Sequence, residues 1–177
     1  MNDNPLIHAL KEVCSFLIDS KIEYMLVGGL AVGIWSRPRA TVDIDFLISA
    51  RIDDSDALRQ RLNESGRFVL IHNEPIIFEK ISLLRATLKS NTDISVDFIF
   101  VDDNFKSEAL NRKVAAQVAD FPVNIATPED LIILKLLSGR QQDRLDAEGI
   151  LEMQRENLDI KHIKKWLKKM GVDYIIR

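Results

Sequence analysis

With 177 residues, 46% of them hydrophobic and 29% charged, the chain can bury a real core and suits one globular domain, or a core domain with a helical extension. A net charge of −3 excludes a generally basic nucleic-acid-coating protein, while leaving room for a local basic patch that meets RNA. The single cysteine, Cys14, excludes an internal disulfide framework and suits a reducing cytosol.

The N-terminus, MNDNPLIHALKEV, has no basic segment leading into an apolar run, so no secretory signal is expected, and no stretch reaches membrane-span length. A cytoplasmic protein without membrane contact is the expectation. Asp3-Asn4-Pro5 opens a helix, with proline in the first turn. Leu6, Leu10, Val13, Leu17 and Ile18 form its apolar stripe to about Asp19, and Cys14 shares that face as a core residue. A strand over 23–27 follows, then Gly28-Gly29, a short helix over 30–35, and a strand over 41–48.

This second strand carries Asp43 and Asp45. Residues two apart on a strand share a face. The two carboxylates therefore project together, while Val42, Ile44 and Phe46 are expected to turn into a core. Adjacent carboxylates repel unless a cation lies between them, and oxygen-only ligands favour magnesium accompanied by substrate phosphates.

Further along, 53–65 reads as an exposed, acid-started helix ended by Gly66. Strands are expected over 68–71, over 76–88 as one or two segments, and over 92–100. In the last of these, Val96, Phe98 and Phe100 share one face, which leaves Asp97 on the other with Ser95 and Ile99. A charge in so apolar a strand is costly unless it is paired or metal-bound. Asp93, at the strand entrance, is an ordinary polar position. Residues 104–118 read as helix, 123–126 as a short extended segment, and the chain from Thr127 as almost wholly helical.

A strand, Gly28-Gly29, a gap of about a dozen residues and Asp43-Ile44-Asp45 in apolar surroundings resemble the nucleotidyltransferase superfamily related to DNA polymerase β. Gly28 to Ala31 followed by Arg39 to Asp45 is most similar to its AbiEii-type toxin branch, and also resembles the small antibiotic-modifying nucleotidyltransferases. The resemblance implies an α/β (α+β) fold: a minimal nucleotidyltransferase core with a small mixed β-sheet flanked by helices over 1–126, and a helical C-terminal extension over 127–177 packed on it. It implies Asp43, Asp45 and Asp97 as catalytic metal ligands for two Mg2+ ions, with an NTP such as ATP as substrate. Gly28 and Gly29 would let backbone approach the triphosphate, with Arg39 and Thr41 lining the nucleotide site. Arg37 reads as an exposed basic loop residue.

Thr127-Pro128-Glu129 is a helix start, with an N-cap threonine and proline at the first position. In the apolar helix that follows, Lys135 stands out: it snorkels, pairs with a carboxylate, or reaches the triphosphate. The AbiEii resemblance favours the last, and matches Arg140, Asp143 and Asp146 downstream. Lys135 and Asp143 join the nucleotide-binding set, with Asp146 behind them. Asp143 and Asp146 share a helix face, where they pair with Lys135 or Arg140, help position an acceptor, or cap the helix; the sequence does not rank these. A final helix over 159–170 carries Lys161, Lys164, Lys165, Lys168 and Lys169 opposite Ile160, Ile163, Leu167 and Met170. It reads as a solvated face more readily than as an RNA contact, with Trp166 as a packing residue. The three histidines lack zinc-site spacing.

The resemblance thus implies transfer of a nucleoside monophosphate to an acceptor hydroxyl. That acceptor is the end of an RNA such as tRNA, with an antitoxin protein as partner, or a small-molecule or protein hydroxyl. A non-catalytic nucleotide- or partner-binding module of the same fold is the remaining alternative.

Overall fold

The computed structural model describes residues 4–38, 40–78 and 81–175. Helix α1 spans Pro5–Asp19: the Asn4 side chain accepts from the Leu6 amide at its start, and Ala9, Leu10, Val13, Cys14, Phe16 and Leu17 are buried. Burial lifts the Cys14 thiol to a pKa of about 11, so it is an inert core residue.

Strand β1 (Tyr24–Val27) leads directly into α2 (Gly28–Trp35), and β2 (Asp43–Ile48) returns antiparallel to β1. A 3-10 turn over Ile52–Asp54 precedes α3 (Ser55–Glu64). Strands β3 (Phe68–Leu70) and β4 (Ile76–Phe78) both pair with β5 (Ile81–Leu88), and β5 turns back into β6 (Asn91–Phe100). Helix α4 (Asn104–Asn111) then leads to a hairpin of β7 (Val114–Val118) and β8 (Phe121–Ile125). The chain ends in α5 (Pro128–Leu137), α6 (Gln141–Gln154), a 3-10 turn and α7 (Ile160–Lys169).

All eight strands of the described residues form one open mixed sheet, in the order β3-β5-β6-β2-β1-β8-β7 with β4 also on β5. Two of its pairings are parallel, β2 with β6 and β1 with β8. One face of the sheet buries Phe46, Phe98 and Phe68 against Phe16 and Tyr24; the Phe16 and Phe68 rings meet edge to face at 4.9 Å. The expected α+β fold with a small mixed sheet is therefore what the chain adopts.

On the side of α2, Trp35 donates its indole N–H to the Ala126 carbonyl at 2.9 Å, and Gln154 of α6 donates to the Trp35 carbonyl at 2.9 Å. Helices α2 and α6 approach closely at Gly149, where a Cβ would lie 2.7 Å from Ser36 Oγ. The C-terminal helix is held by a buried polar cluster. Asp130, fully buried, accepts from Arg112 Nε at 2.9 Å and Thr127 Oγ1 at 2.9 Å, and lies 2.7 Å from His162 Nε2. Trp166 packs on Phe105 at 5.2 Å, as a packing residue should.

Two local expectations fail. Helix α4 stops at Asn111, and 114–118 is strand. Ala115, Ala116 and Gln117 favour helix intrinsically, but pairing to the apolar β8 overrides them, through a two-residue turn with Ala119 at φ +56°. Val42 does not enter the core: it is 64% exposed and precedes the first paired residue of β2. No helix of the described residues is long and apolar enough to cross a membrane.

Candidate active site

The carboxylates lie on two central parallel strands. Asp45 pairs in register with Asp97, and Asp43, one step along the same face, pairs with Ser95. Flanking strands extend the Asp45–Asp97 row at both ends: Val27 sits beside Asp45 on β1, and Arg85 beside Asp97 on β5. A side chain at each place in the row is fixed by its backbone ladder, so the acidic groups are held close before anything binds.

Each carboxylate has a different environment. Asp43 is exposed, and its Oδ1 accepts from the Ser95 hydroxyl at 2.6 Å. Asp97 is 4% exposed, and Arg85 grips it with two parallel bonds, Nε to Oδ1 at 2.7 Å and Nη2 to Oδ2 at 2.6 Å. Asp45 is half-buried as a residue, with its carboxylate pressed against the β1–α2 junction. Burial first, and then the charges of Asp97 and Asp43, lift its pKa to about 6, against the opposing pull of Lys135 and Arg140.

Gly28 is what admits that carboxylate. Its φ is +66°, and a Cβ there would stand 1.8 Å from Asp45 Oδ2 and 2.8 Å from the Asp45 Cβ. Both the left-handed backbone and the contact require glycine. Gly29 is buried in the first turn of α2. Thr41 Oγ1 lies 3.4 Å from both the amide and the carbonyl of Asp43, at the entry to β2. Arg39 lies outside the described residues. Arg37 is exposed and faces Glu152 at 3.8 Å, which suits a loop residue.

Lys135 reaches the same neighbourhood from α5. It is 6% exposed, and its ammonium donates to Asp143 Oδ1 at 2.6 Å and lies 3.0 Å from Asp146 Oδ2. Asp143 and Asp146 thus form the ion pair with Lys135 that is one of the readings open for them. Burial pushes the Asp143 carboxyl up, but Lys135, Ser138 and Arg140 together hold it below the usual carboxylate range. Arg140, at the start of α6, reaches Asp143 Oδ2 at 2.5 Å with its guanidinium largely exposed. Lys135 and Arg140 both bear electrostatically on Asp45, so the α5–α6 corner and the carboxylate strands form one charged locality.

Sequence reading missed Arg85, and took Ser95 only as a face-mate of Asp97. A signal for Arg85 existed: it is the one charge in the alternating run ISLLRATL, where Ser82, Leu84, Ala86 and Leu88 are buried and the intervening residues are half-buried. Chemically, the locality gathers the three strand carboxylates, the Lys135 ammonium with Asp143 and Asp146, and two unburied guanidiniums, Arg85 and Arg140, beside a glycine turn. Such a set can hold cations, accept a proton and bind anionic groups.

The sequence matches the family model described as nucleotidyl transferase AbiEii toxin, type IV TA system, over residues 16–162. A search of curated proteins finds no significant match. Among solved structures, the chain is similar to ANT(2")-Ia in complex with adenylyl-2"-tobramycin, at 13% identity and a TM-score of 0.58, with 94% of this chain and 95% of that one covered. It is also similar to the lincosamide antibiotic adenylyltransferase LnuA bound to lincomycin, at 16% identity and TM-score 0.53, covering 82% of this chain and 96% of that one. The Thermotoga maritima protein TM1012, classed as a nucleotidyltransferase, aligns at 12% identity and TM-score 0.53, with 96% of each chain covered. At such identities these likenesses speak for the fold. The family match spans most of the sequence and takes in both carboxylate strands and the Lys135 helix, and the chain belongs to the AbiEii nucleotidyltransferase family.

Proposed function

We propose that this protein is a magnesium-dependent nucleotidyltransferase that moves the nucleoside monophosphate of an NTP onto an acceptor hydroxyl and releases pyrophosphate. The observation that carries this reading is the Asp45–Asp97 row with Asp43 one step away on the same face. The donor set suits a hard divalent ion: three carboxylates on neighbouring strands, all oxygen, one of them with its pKa raised to about 6 by burial and by its acidic neighbours. A cation there would offset both the burial and the repulsion that raise it. Among the described residues no three acidic, histidine or cysteine side chains already converge as an ion cage; Arg85 bonds both oxygens of Asp97, and Ser95 bonds one of Asp43.

Asp43 and Asp45 would hold both ions and Asp97 the one nearer the acceptor; bound there, the metals supply charge stabilisation for the attacking and leaving oxygens. Gly28 and Gly29 bring bare backbone, and the first amides of α2, to where phosphate oxygens would lie. Lys135, held in place by Asp143 and Asp146, keeps a fixed positive charge within electrostatic reach of Asp45, suited to a phosphate. Asp143 then belongs to the site as the residue that aims Lys135. Arg39 and Thr41 complete the nucleotide side in this reading. The core over 1–126 carries the carboxylates, and the helical part over 127–177 supplies Lys135.

Membership in a family described as type IV toxins supports a partner antitoxin; an RNA acceptor such as tRNA and a cytoplasmic site of action rest on the resemblance of the motif alone. The antibiotic acceptors of LnuA and ANT(2")-Ia make a small-molecule hydroxyl the second reading. The test is label transfer. The protein, magnesium and each α-labelled NTP are incubated with small RNA, cell protein and a panel of polyhydroxylated small molecules, with Asp45→Ala in parallel. Label entering one pool, and lost in Asp45→Ala, is the expected result and names the acceptor class. A folded protein that labels nothing with any NTP would point instead to the binding-module alternative or to a missing partner.

A further inference from the structure

Arg85 has no place in the chemistry described so far, yet it touches the carboxylate row directly. Its guanidinium is the cation on Asp97, and it takes one lone pair from each carboxylate oxygen. The pair is lopsided in burial: the Asp97 side chain is 6% exposed and that of Arg85 is 40% exposed. Asp97 is thus fixed in the sheet, while the arginine lies along the open side and can swing away without unpacking a core. Asp43 and Asp45 also act on the guanidinium, so it sits in the field of all three carboxylates.

The neighbouring cations are already committed. Lys135 is shared by Asp143 and Asp146, and Arg140 is bonded to Asp143. Arg85 is the side chain that neutralises Asp97 itself. A divalent ion shared by Asp45 and Asp97 needs the same oxygens and brings a second positive charge to the same spot. Arg85 and the ion therefore compete for Asp97.

We infer that Arg85 is a positioning residue that stands in for a divalent cation on Asp97, and that ion loading requires its guanidinium to leave that carboxylate. The inference rests on the metal-dependent reading above. It gives the ion-free protein a stable carboxylate row, where Asp97 would otherwise be a buried charge without a counter-ion. It also couples metal to nucleotide. A triphosphate offers the released guanidinium a new anionic partner, so each ligand favours the other by linkage.

The test is Mn2+ binding to the full chain without nucleotide, followed by electron paramagnetic resonance of the free ion, for wild type, Arg85→Met, Arg85→Lys and Asp45→Asn. Thermal melting of each is recorded with and without Mn2+. Arg85→Met is expected to bind Mn2+ about tenfold more tightly than wild type, and to gain more melting temperature from the ion. Arg85→Lys, which keeps the charge but loses the fork, is expected to fall between them and guards against a methionine variant that does not fold. A purely structural cross-strand pair predicts the opposite: lower melting temperatures, with Mn2+ affinity unchanged or weakened. That result, with binding still lost in Asp45→Asn, overturns the inference and leaves the metal reading standing. No Mn2+ binding by any variant overturns both.

Discussion

Replacing Gly28 by alanine tests the geometry of the carboxylate row, because two separable penalties act there. The first is backbone strain. Gly28 has φ +66°, and a non-glycine residue in the left-handed region costs about 1–3 kcal/mol. The second is a collision. The new methyl would lie 1.8 Å from Asp45 Oδ2 and 2.5 Å from its Cγ, and rotation of the aspartate side chain can relieve both. It cannot relieve the 2.8 Å approach to the Asp45 Cβ, which the β2 backbone fixes. The β1–α2 junction must therefore move away from β2, which adds about 1–3 kcal/mol by analogy with overpacked cores. Gly66 supplies the control: its φ is +68° and a Cβ there meets nothing within 4 Å, so Gly66→Ala carries the strain without the collision. At this chain length each kcal/mol moves the melting temperature by about 2–4 °C, so Gly28→Ala should melt about 2–12 °C below Gly66→Ala. Displacing Asp45 by an ångström should lower label transfer about 100-fold, while Gly66→Ala keeps wild-type transfer. If both variants melt together and both transfer label normally, Asp45 is not seated against Gly28, and the row described here is wrong.

Asp45→Asn should stabilise the ion-free protein in a pH-dependent way. The folded carboxyl has its pKa raised from 3.8 to about 6, so folding binds its proton more tightly; that contribution is present below about pH 4 and is lost as pH rises through 6. Asparagine removes the cost of ionisation, so urea unfolding in EDTA should show a gain of about 3 kcal/mol near pH 7.5 that closes near pH 4; an equal gap at both would refute the assigned environment. Lys135→Met withdraws the ammonium from Asp143 and Asp146, both with side chains 3% exposed. Arg140 still bonds Asp143 and Gln142 still bonds Asp146, so the loss should sit near about 3 kcal/mol, the low end for breaking a buried pair, and urea unfolding at pH 7 reads it directly. A loss below about 1 kcal/mol, typical of surface pairs, would mean that Lys135 is held by something else.

What could be read from the sequence follows the range of the forces involved. Alternation along a single strand is local, so Ile44 and Phe46 against Asp43 and Asp45, and Val96, Phe98 and Phe100 against Asp97, were visible without a fold. The start of α5 was equally plain, since Thr127 caps it by accepting from the Asp130 amide. The β7–β8 hairpin was hidden for the converse reason: Ala115, Ala116 and Gln117 have helical propensity, and only the distant apolar edge of β1 makes a strand pair worth forming there. For Lys135, an apolar helix with one lysine was conspicuous, but its engagement with Asp143 and Asp146 depends on how α6 folds back at Gly139, with φ +67°.

Arg85 stands out as a lone charge in an alternating strand, but its partner was out of reach for a sharper reason. The β5–β6 hairpin closes with Leu88 opposite Asn91. Continued without interruption, that register would set Arg85 opposite Ile94 and Ser82 opposite Asp97. The register instead shifts between Thr87 and Leu88, so that Thr87 meets Ser95 and Arg85 meets Asp97. Three extra residues on β6, Thr92 to Ile94, thus bring the guanidinium to the carboxylate. A strand pattern specifies which face a residue takes, but a bulge decides which neighbour it meets, and bulges gather beside active sites because they re-aim side chains. Here the re-aiming delivers a cation to the one residue of the three aspartates that is buried as a whole, at 4% exposure. The bulge belongs as much to the charge balance of the site as do the aspartates themselves.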